Sequence, residues 1–148
     1  MRDKQLFLQM YRNHQMFSNS MEKMCNRYNI NHIQLYILLL SMEEKTTVTT
    51  LAQELKTSRS AISQAILCLL MKRLIIKEFL PDNKKVFYIV PTPFAIKILQ
   101  NLKNECDETY KLLYEIVGEY DMRELERLFI KLNDAFHTIK TIKEKEVC

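Results

Sequence analysis

The chain of 148 residues contains one glycine, three prolines and no tryptophan. Glycine and proline supply most tight turns, and an all-β chain needs many of them, so their scarcity predicts a mainly helical protein. A single glycine also leaves no glycine-rich loop to hold a phosphate and no G-x-S-x-G turn to present a nucleophile. No paired acids stand on a suitable loop, so we expect neither an enzyme nor a cofactor.

Long apolar runs and clustered metal ligands are also missing. No run approaches the ~20 apolar residues that span a bilayer, and the first residues lack the apolar segment of a signal peptide. The three histidines show neither H-x-x-x-H nor H-E-x-x-H spacing, which predicts no metal site.

The cysteines form no C-x-x-C pair, which indicates reduced thiols in a cytoplasm rather than disulfides or a zinc site. They are Cys25, Cys68, Cys106 and Cys148. We expect Cys68 to be buried near the core face of its helix. A redox sensor needs an exposed thiolate, so neither Cys25 nor Cys68 is favoured as one.

What the chain does have is positive charge gathered in one region. The net charge is +4, and residues 46–90 hold seven Lys or Arg against three acids. Residues 91–148 hold nine such bases against eleven acids. The positive field therefore lies on residues 46–90, where a polyanion would dock.

Within that region the pattern predicts a helix, a turn, a second helix and a hairpin. Thr46 or Thr47 caps a helix over about 48–56, and a second helix runs over about 59–73. Two strand-like runs follow, joined by the polar turn 80–85. This order is typical of a helix-turn-helix followed by a wing, in a mainly α protein with a small β-wing.

The second helix carries two contrasting faces. At about 100° per residue, four polar residues fall within an arc of roughly 140°: Arg59, Ser60, Ser63 and Gln64. The opposite side is apolar and predicts a core face: Ala61, Ile62, Ala65, Ile66 and Leu69. Leu67 and Met71 lie further along the polar arc, where we expect contacts with other elements. Short polar side chains allow close approach to another surface, and groove-reading helices place their N-terminal residues against base edges.

The hairpin tip adds two adjacent lysines, which can contact phosphates or enter the minor groove. The alternative is that these lysines only keep an exposed tip soluble. We predict that Ser60, Ser63 and Gln64 contact bases, whereas Arg59 and the two lysines hold phosphates. The complete predicted DNA-binding set is Ser58, Arg59, Ser60, Ser63, Gln64, Asn83, Lys84 and Lys85.

Long amphipathic helices flank this centre. The spacing predicts helices over 4–28, 93–117 and 122–145, and a short, buried helix over 32–42. Gly118 stands where a helix end needs positive φ, and Asp121 begins a D-x-x-E capping box. The Met-rich and aromatic stripe of the first helix predicts a partner-facing surface, although it could be ordinary core.

These residues resemble the MarR family of winged helix-turn-helix repressors, whose central pattern runs roughly L-A-x-x-L-x-x-S-x-x-x-V-S-x-x-V-x-x-L-x-x-x-G-L-I. The matching residues are Leu51, Ala52, Leu55, Ser58, Ile62, Ser63, Ile66, Leu69, Leu74 and Ile75. After the wing the family shows L-T-P-x-G, which stands here as Pro91-Thr92-Pro93-Phe94-Ala95. The order of helices agrees over nearly the whole chain.

The chain departs from the family pattern at three places. Arg73 replaces the usual glycine after the recognition helix, so we expect the turn there to be made in another way. The wing's usual acid followed by two arginines stands here as Asn83-Lys84-Lys85, or Asp82 takes the place of the acid by a shift of one. Lysine lacks the bidentate fork of arginine. Gln64 stands where many members carry arginine. Since glutamine suits adenine as arginine suits guanine, we expect an A·T preference at that position.

The resemblance implies a homodimeric transcription regulator, expected to be a repressor, on a pseudo-palindromic operator. Residues 1–30 and 93–148 would form the dimerisation region and residues 31–92 the DNA-binding region of one interleaved domain. It also implies release by a small phenolic or other lipophilic effector. Such a molecule would bind a crevice whose candidate lining is Met10, Tyr11, His14, Phe17, Tyr36 and Leu40.

Two other functions remain open. The winged helix could bind a protein partner without specific DNA recognition. RNA binding is also conceivable, but no aromatic stacking platform is predicted on the polar arc.

Overall fold

Eight elements make up the structure, a computed structural model that describes the backbone of residues 2–146 and the side chains of residues 3–146. In chain order they are α1 Arg2–Arg27, α2 His32–Glu43, α3 Val48–Glu54, α4 Arg59–Met71, β1 Ile75–Leu80, β2 Asn83–Pro91, α5 Pro93–Val117 and α6 Glu119–Glu146. The predicted mainly helical fold with one small β-hairpin is confirmed. No helix in the part of the chain described is long and apolar enough to cross a membrane.

Helices α2 and α3 each begin directly after a capping residue, and Thr47 is one of the two caps predicted for α3. Asn31 Oδ1 accepts the Gln34 N–H at 2.8 Å, and Gln34 Oε1 accepts the Asn31 N–H at 3.3 Å, which completes a capping box on α2. Thr47 Oγ1 accepts the Thr50 N–H at 3.3 Å at the start of α3. These bonds satisfy donors that have no partner within a helix. The local sequence therefore sets where α2 and α3 start.

Three helices end with a left-handed residue although none has glycine there. Asn29, Lys56 and Arg73 have φ values of 54°, 48° and 57°. After α4 the Leu74 N–H donates to the Leu69 carbonyl at 2.9 Å, which is the 6→1 hydrogen bond of a Schellman motif. The expectation that Arg73 forces a different turn was wrong, because arginine itself adopts the conformation that glycine usually supplies.

By its internal contacts the chain divides into two units, one ending at Leu102 and the other beginning at Lys103. The first unit contains the hydrophobic core, to which the end of α1, α2, α3, α4, both strands and the start of α5 contribute. Apolar residues of the described part with at most 2% of their surface exposed are Cys25, Ile37, Leu38, Leu51, Ile62, Ile66, Leu69, Leu74, Ile75, Ile89 and Ala95. The predicted burial of α2 holds for one side only, because Tyr36 and Leu39 are exposed.

Thr92 joins the end of α4 to the start of α5. Its Oγ1 accepts the Ala95 N–H at 3.2 Å and donates to the Arg73 carbonyl at 2.9 Å. Its N–H donates to the Leu74 carbonyl at 2.9 Å. One threonine therefore caps α5 and fixes the turn that follows α4.

The second unit consists of the remainder of α5 and of α6, and α6 buries none of its side chains in this single chain. Gly118, with φ of 96°, ends α5 as predicted. Its carbonyl accepts the Met122 N–H at 3.1 Å, so α6 begins at Glu119. The predicted capping box was wrong: Asp121 lies inside the first turn, because one glycine serves as both helix end and helix start.

Candidate nucleic-acid interface

The first two turns of α4 present a short polar surface. Arg59, Ser60, Ser63 and Gln64 are exposed, as the helical spacing predicts. Ser58 Oγ accepts the Ala61 N–H at 3.1 Å and so caps the helix at the front of this surface. Behind it lie three buried residues, Ile62, Ile66 and Leu69. An apolar back holds the helix, so the hydroxyls and the amide of its front face outward.

The core face of α4 is turned round the helix from its predicted position. Ala61 and Cys68, both predicted inside, are exposed. At about 100° per residue they lie roughly 200° and 180° from Arg59, whereas the buried residues lie between about 280° and 340°. The half-buried Ala65 and Leu70 also pack against the core, at roughly 240° and 20° from Arg59, so the core contact covers an arc of about 140° that leaves out Ala61 and Cys68.

Two apolar residues continue the exposed face towards the end of α4. Leu67 is 58% exposed and Met71 is 76% exposed. Most of the surface of both side chains is therefore left uncovered in the single chain. The exposed face of α4 is therefore polar in its first half and apolar in its second half.

The wing is shorter at its tip than predicted. Strand β2 already begins at Asn83, which pairs with Leu80, so only Pro81 and Asp82 connect the two strands. Phe79 pairs with Phe87, so the register shifts between these two pairs. Three additional residues, 84–86, are accommodated in β2 at that shift.

The additional residues include the two predicted phosphate contacts. Lys84 and Lys85 are exposed. Asn83 Oδ1 accepts the Lys85 N–H at 3.0 Å, so the Asn83 side chain organises the bulged backbone. Asn83 therefore positions the lysine pair, whereas its own contact with DNA remains a prediction.

Aromatic residues support the wing behind its tip. The rings of Phe79 and Phe87 meet edge to face, with centroids 5.7 Å apart. Lys77 Nζ lies 4.4 Å from the centroid of Phe87, and the attraction of a cation to a ring face favours this position. Sequence reasoning missed this contact, although Lys77 and Phe87 stand near each other once the strand register is known.

The loop before α3 is attached to the wing as well. Lys45 Nζ lies 3.1 Å from Glu78 Oε1 and 5.2 Å from the centroid of Tyr88. Next to it the Ile89 N–H donates to the carbonyl of the buried Thr46 at 3.1 Å. The position of the wing is therefore linked to the start of the helix-turn-helix.

One basic residue of this region has an internal role. Lys72 Nζ donates to the Asn29 carbonyl and to Gln34 Oε1, the latter at 3.2 Å. These bonds tie the end of α4 to the start of α2. Lys72 therefore contributes charge to the region but is held in place by protein groups.

The thiols differ in environment. Burial raises the pKa of Cys25, and burial together with the charges of Asp107 and Glu105 raises the pKa of Cys106. A raised pKa disfavours the reactive thiolate. Cys68 is exposed, so its predicted burial was wrong. Cys148 lies outside the residues that the structure describes.

The candidate effector residues lie on α1 and α2. Five are exposed and Leu40 is half-buried; the exposed ones are Met10, Tyr11, His14, Phe17 and Tyr36. This single chain does not enclose them, so a crevice would need further walls. Across the described side chains, no three His, Cys, Asp or Glu residues gather into a possible metal site.

Solved structures of MarR-family regulators share this fold. The MarR family transcription regulator SP03579 matches with a TM-score of 0.80 at 18% identity, over 95% of each chain. MepR, a transcription regulator of the Staphylococcus aureus multidrug efflux pump MepA, matches with a TM-score of 0.70 at 18% identity, over 88% of this chain and 96% of that chain. A mutant of MepR bound to an oligodeoxyribonucleotide matches with a TM-score of 0.64 at 17% identity, over the same shares of the two chains. No protein-family model and no curated protein matches the sequence.

Proposed function

We propose that this chain, which has the winged helix-turn-helix fold of the MarR-family regulators, is a sequence-specific DNA-binding transcription regulator. It acts by binding rather than by catalysis, as a homodimer on a pseudo-palindromic operator, and represses transcription. The observation that carries the proposal is the exposed row of hydroxyls and amide on α4, held outward by a buried apolar back. The lysine tip of the wing and the net positive charge of residues 46–90 support it.

Each side chain has a role that follows from its chemistry. Ser60, Ser63 and Gln64 contact base edges in the major groove, where amide and hydroxyl groups match the donor and acceptor pattern of the bases. Arg59, at the first position of α4, holds a phosphate. Ser58 and Asn83 shape the helix start and the wing tip through their bonds to the Ala61 and Lys85 N–H groups, and we expect both to contact the sugar-phosphate backbone.

Lys84 and Lys85 supply charge without reading sequence. Lysine is a point charge that contacts phosphate oxygens, so the pair fixes position on the duplex rather than choice of base. The two should therefore affect affinity for all sequences alike.

A homodimer is supported by apolar faces that the single chain leaves exposed. On α1 these include Leu6, Phe7 and Phe17. On α6 one stripe is exposed along its length: Leu125, Leu128, Leu132, Phe136, Ile139 and Ile142. Exposed apolar surface on this scale marks an interaction surface. Residues 1–30 and 93–148 therefore supply the dimer contacts, and residues 31–92 supply the DNA contacts.

The DNA proposal is tested by selecting bound sequences from a random pool. A two-fold symmetric site with half-sites about one helical turn apart is expected. Gln64→Ala should lower the preference at one base pair by about 1–3 kcal/mol, whereas Lys84→Ala should weaken every sequence equally. Gln100→Ala, at an exposed glutamine on α5, is the matched control and should change neither. A chain that binds all sequences equally would contradict the proposal.

The dimer is tested by light scattering at micromolar concentration. Phe136→Glu places a charge in the α6 stripe and should give monomers. Thr141→Glu adds the same charge about 140° round the helix and should leave dimers intact. A monomeric wild-type chain would remove the two-half-site arrangement.

A protein-binding winged helix is the second candidate, because Leu67 and Met71 expose apolar surface at the end of α4. Salt distinguishes the two functions. DNA affinity falls by about 0.9 log units per phosphate contact for each tenfold rise in salt. Binding through the apolar residues would not show this slope.

An effector pocket completes the proposal. A small lipophilic or phenolic molecule would bind against Met10, Tyr11, His14, Phe17, Tyr36 and Leu40 once a second copy covers them. A panel of simple phenols should release DNA from the wild-type dimer but not from Tyr36→Ala. Equal release from both would place the effector elsewhere.

A further inference from the structure

Ala61 presents an exposed methyl group beside the polar surface of α4, about 60° round the helix from Gln64. It is the third residue of the helix, and its N–H is bonded to the Ser58 cap at 3.1 Å. The backbone at this position is therefore fixed by the cap. Ala61 lies one turn before Gln64, on the neighbouring part of the exposed face.

The bases offer one apolar group in the major groove, the C5-methyl group of thymine. Alanine can pack against this methyl group and makes no hydrogen bond to any base. Gln64 carries an amide that can bind adenine through two hydrogen bonds. The thirteen residues of α4 include a single basic residue, Arg59, at the first position. Recognition of guanine by a charged side chain is therefore limited to that end of the helix.

We propose that Ala61 is a specificity-determining residue that contacts the methyl group of thymine, at the base pair that Gln64 contacts or at the adjoining pair. This inference rests on the proposed DNA-binding function. It adds a thymine methyl group to the adenine contacted by Gln64 as a feature that the front of α4 recognises.

The spacing along the helix fits this assignment. Residues three apart on a helix have Cβ atoms about 5–6 Å apart. Successive base pairs lie about 3.4 Å apart along each strand. Ala61 and Gln64 can therefore serve the same pair or adjoining pairs, but not distant ones.

The experiment removes the methyl group from the DNA, which leaves the folded protein untouched. Sequences bound by the full-length chain are first selected from a random pool. Each thymine of the selected site is then replaced singly by deoxyuridine, and the dissociation constant is measured. At one thymine per half-site, replacement by deoxyuridine should raise the dissociation constant of the wild-type chain about fourfold. This is the usual effect of losing one buried methylene-sized group.

Two variants assign that effect to Ala61. In Ala61→Gly, thymine and deoxyuridine at that position should bind equally well. Ala65→Gly is the matched control: it loosens the same helix at a half-buried alanine and should keep the fourfold difference.

The outcomes separate this inference from the proposed function. If no sequence is enriched, the DNA-binding function itself fails. If a site is enriched but has no A·T pair among the base pairs that α4 contacts, the function stands and the role of Ala61 is refuted. A wild-type chain that binds deoxyuridine as well as thymine at every position also refutes it, as does a fourfold difference that persists in Ala61→Gly.

Discussion

Replacing Arg73 by glycine and, separately, by alanine tests the left-handed turn at the end of α4. Arg73 has φ of 57°, which brings the Cβ of an L-residue close to a carbonyl oxygen. The turn is held by the 2.9 Å bond between the Leu74 N–H and the Leu69 carbonyl, so the backbone cannot relax without losing it. Alanine retains this strain, whereas glycine has no Cβ and loses it.

The magnitude follows from two opposing terms. A left-handed L-residue costs about 1–2 kcal/mol, and glycine avoids this cost. Glycine also lowers the free energy of unfolding by about 0.4–1 kcal/mol, because it raises the conformational entropy of the unfolded chain. Arg73→Gly should therefore be more stable than Arg73→Ala by about 0.5–1 kcal/mol. Both variants lack the arginine charge, so its contribution cancels in the comparison.

The matched site is Lys97, an exposed residue within α5. There the backbone is right-handed, and glycine should be less stable than alanine by about 1 kcal/mol. Urea unfolding of the four variants, at one protein concentration because a dimer's stability depends on it, measures both differences. An alanine variant as stable as the glycine variant at Arg73 would refute the argument from backbone strain.

Three further outcomes are expected. Thr92→Val should lower the unfolding free energy by about 2 kcal/mol in urea titration, since it removes both a helix cap for Ala95 and a bond to the Arg73 carbonyl. Alkylation mapped by mass spectrometry should modify Cys68 before Cys25, because only the former is exposed; simultaneous modification would contradict the described burial. Burial raises the folded-state pKa of Cys25, so its contribution to stability is complete below the ordinary thiol pKa and is lost as pH rises through the raised value. Urea titrations from neutral to alkaline pH should therefore show a smaller decline for Cys25→Ala than for the wild type.

The caps were predictable because they depend on residues three positions apart. Asn31, Thr47 and Ser58 each accept an N–H of the first turn that follows. Such signals are local, so a sequence contains them without knowledge of the fold. The order of helices, hairpin and long flanking helices follows from the same local patterns.

The direction of the core contact round α4 was not predictable in this way. Helical spacing gives the angle between Ala61 and Ile62, but not which side of the helix its neighbours cover. That depends on the positions of α2, α3 and β1, which are set by the whole first unit. Ala61 and Cys68 were therefore assigned to the wrong side.

Contacts distant in sequence were missed for a related reason. Lys72 reaches Asn29 and Gln34, which precede it by 43 and 38 positions. Lysine at a helix end is usually solvated, so nothing near it indicates a partner. The fold alone brings a carbonyl and an amide oxygen within its reach.

The left-handed positions connect stability with the proposed function. Lys56 and Arg73 follow α3 and α4, and each brings a positive charge to the carbonyl end of its helix. That placement recovers about 0.3–1 kcal/mol, which offsets part of the left-handed cost. Glycine at both positions would relieve the strain but remove two of the seven basic residues of residues 46–90. The double glycine variant should therefore have a higher free energy of unfolding than the corresponding double alanine variant. Because binding to a duplex depends on the lost charge, both variants should lose DNA affinity to the same extent at low salt.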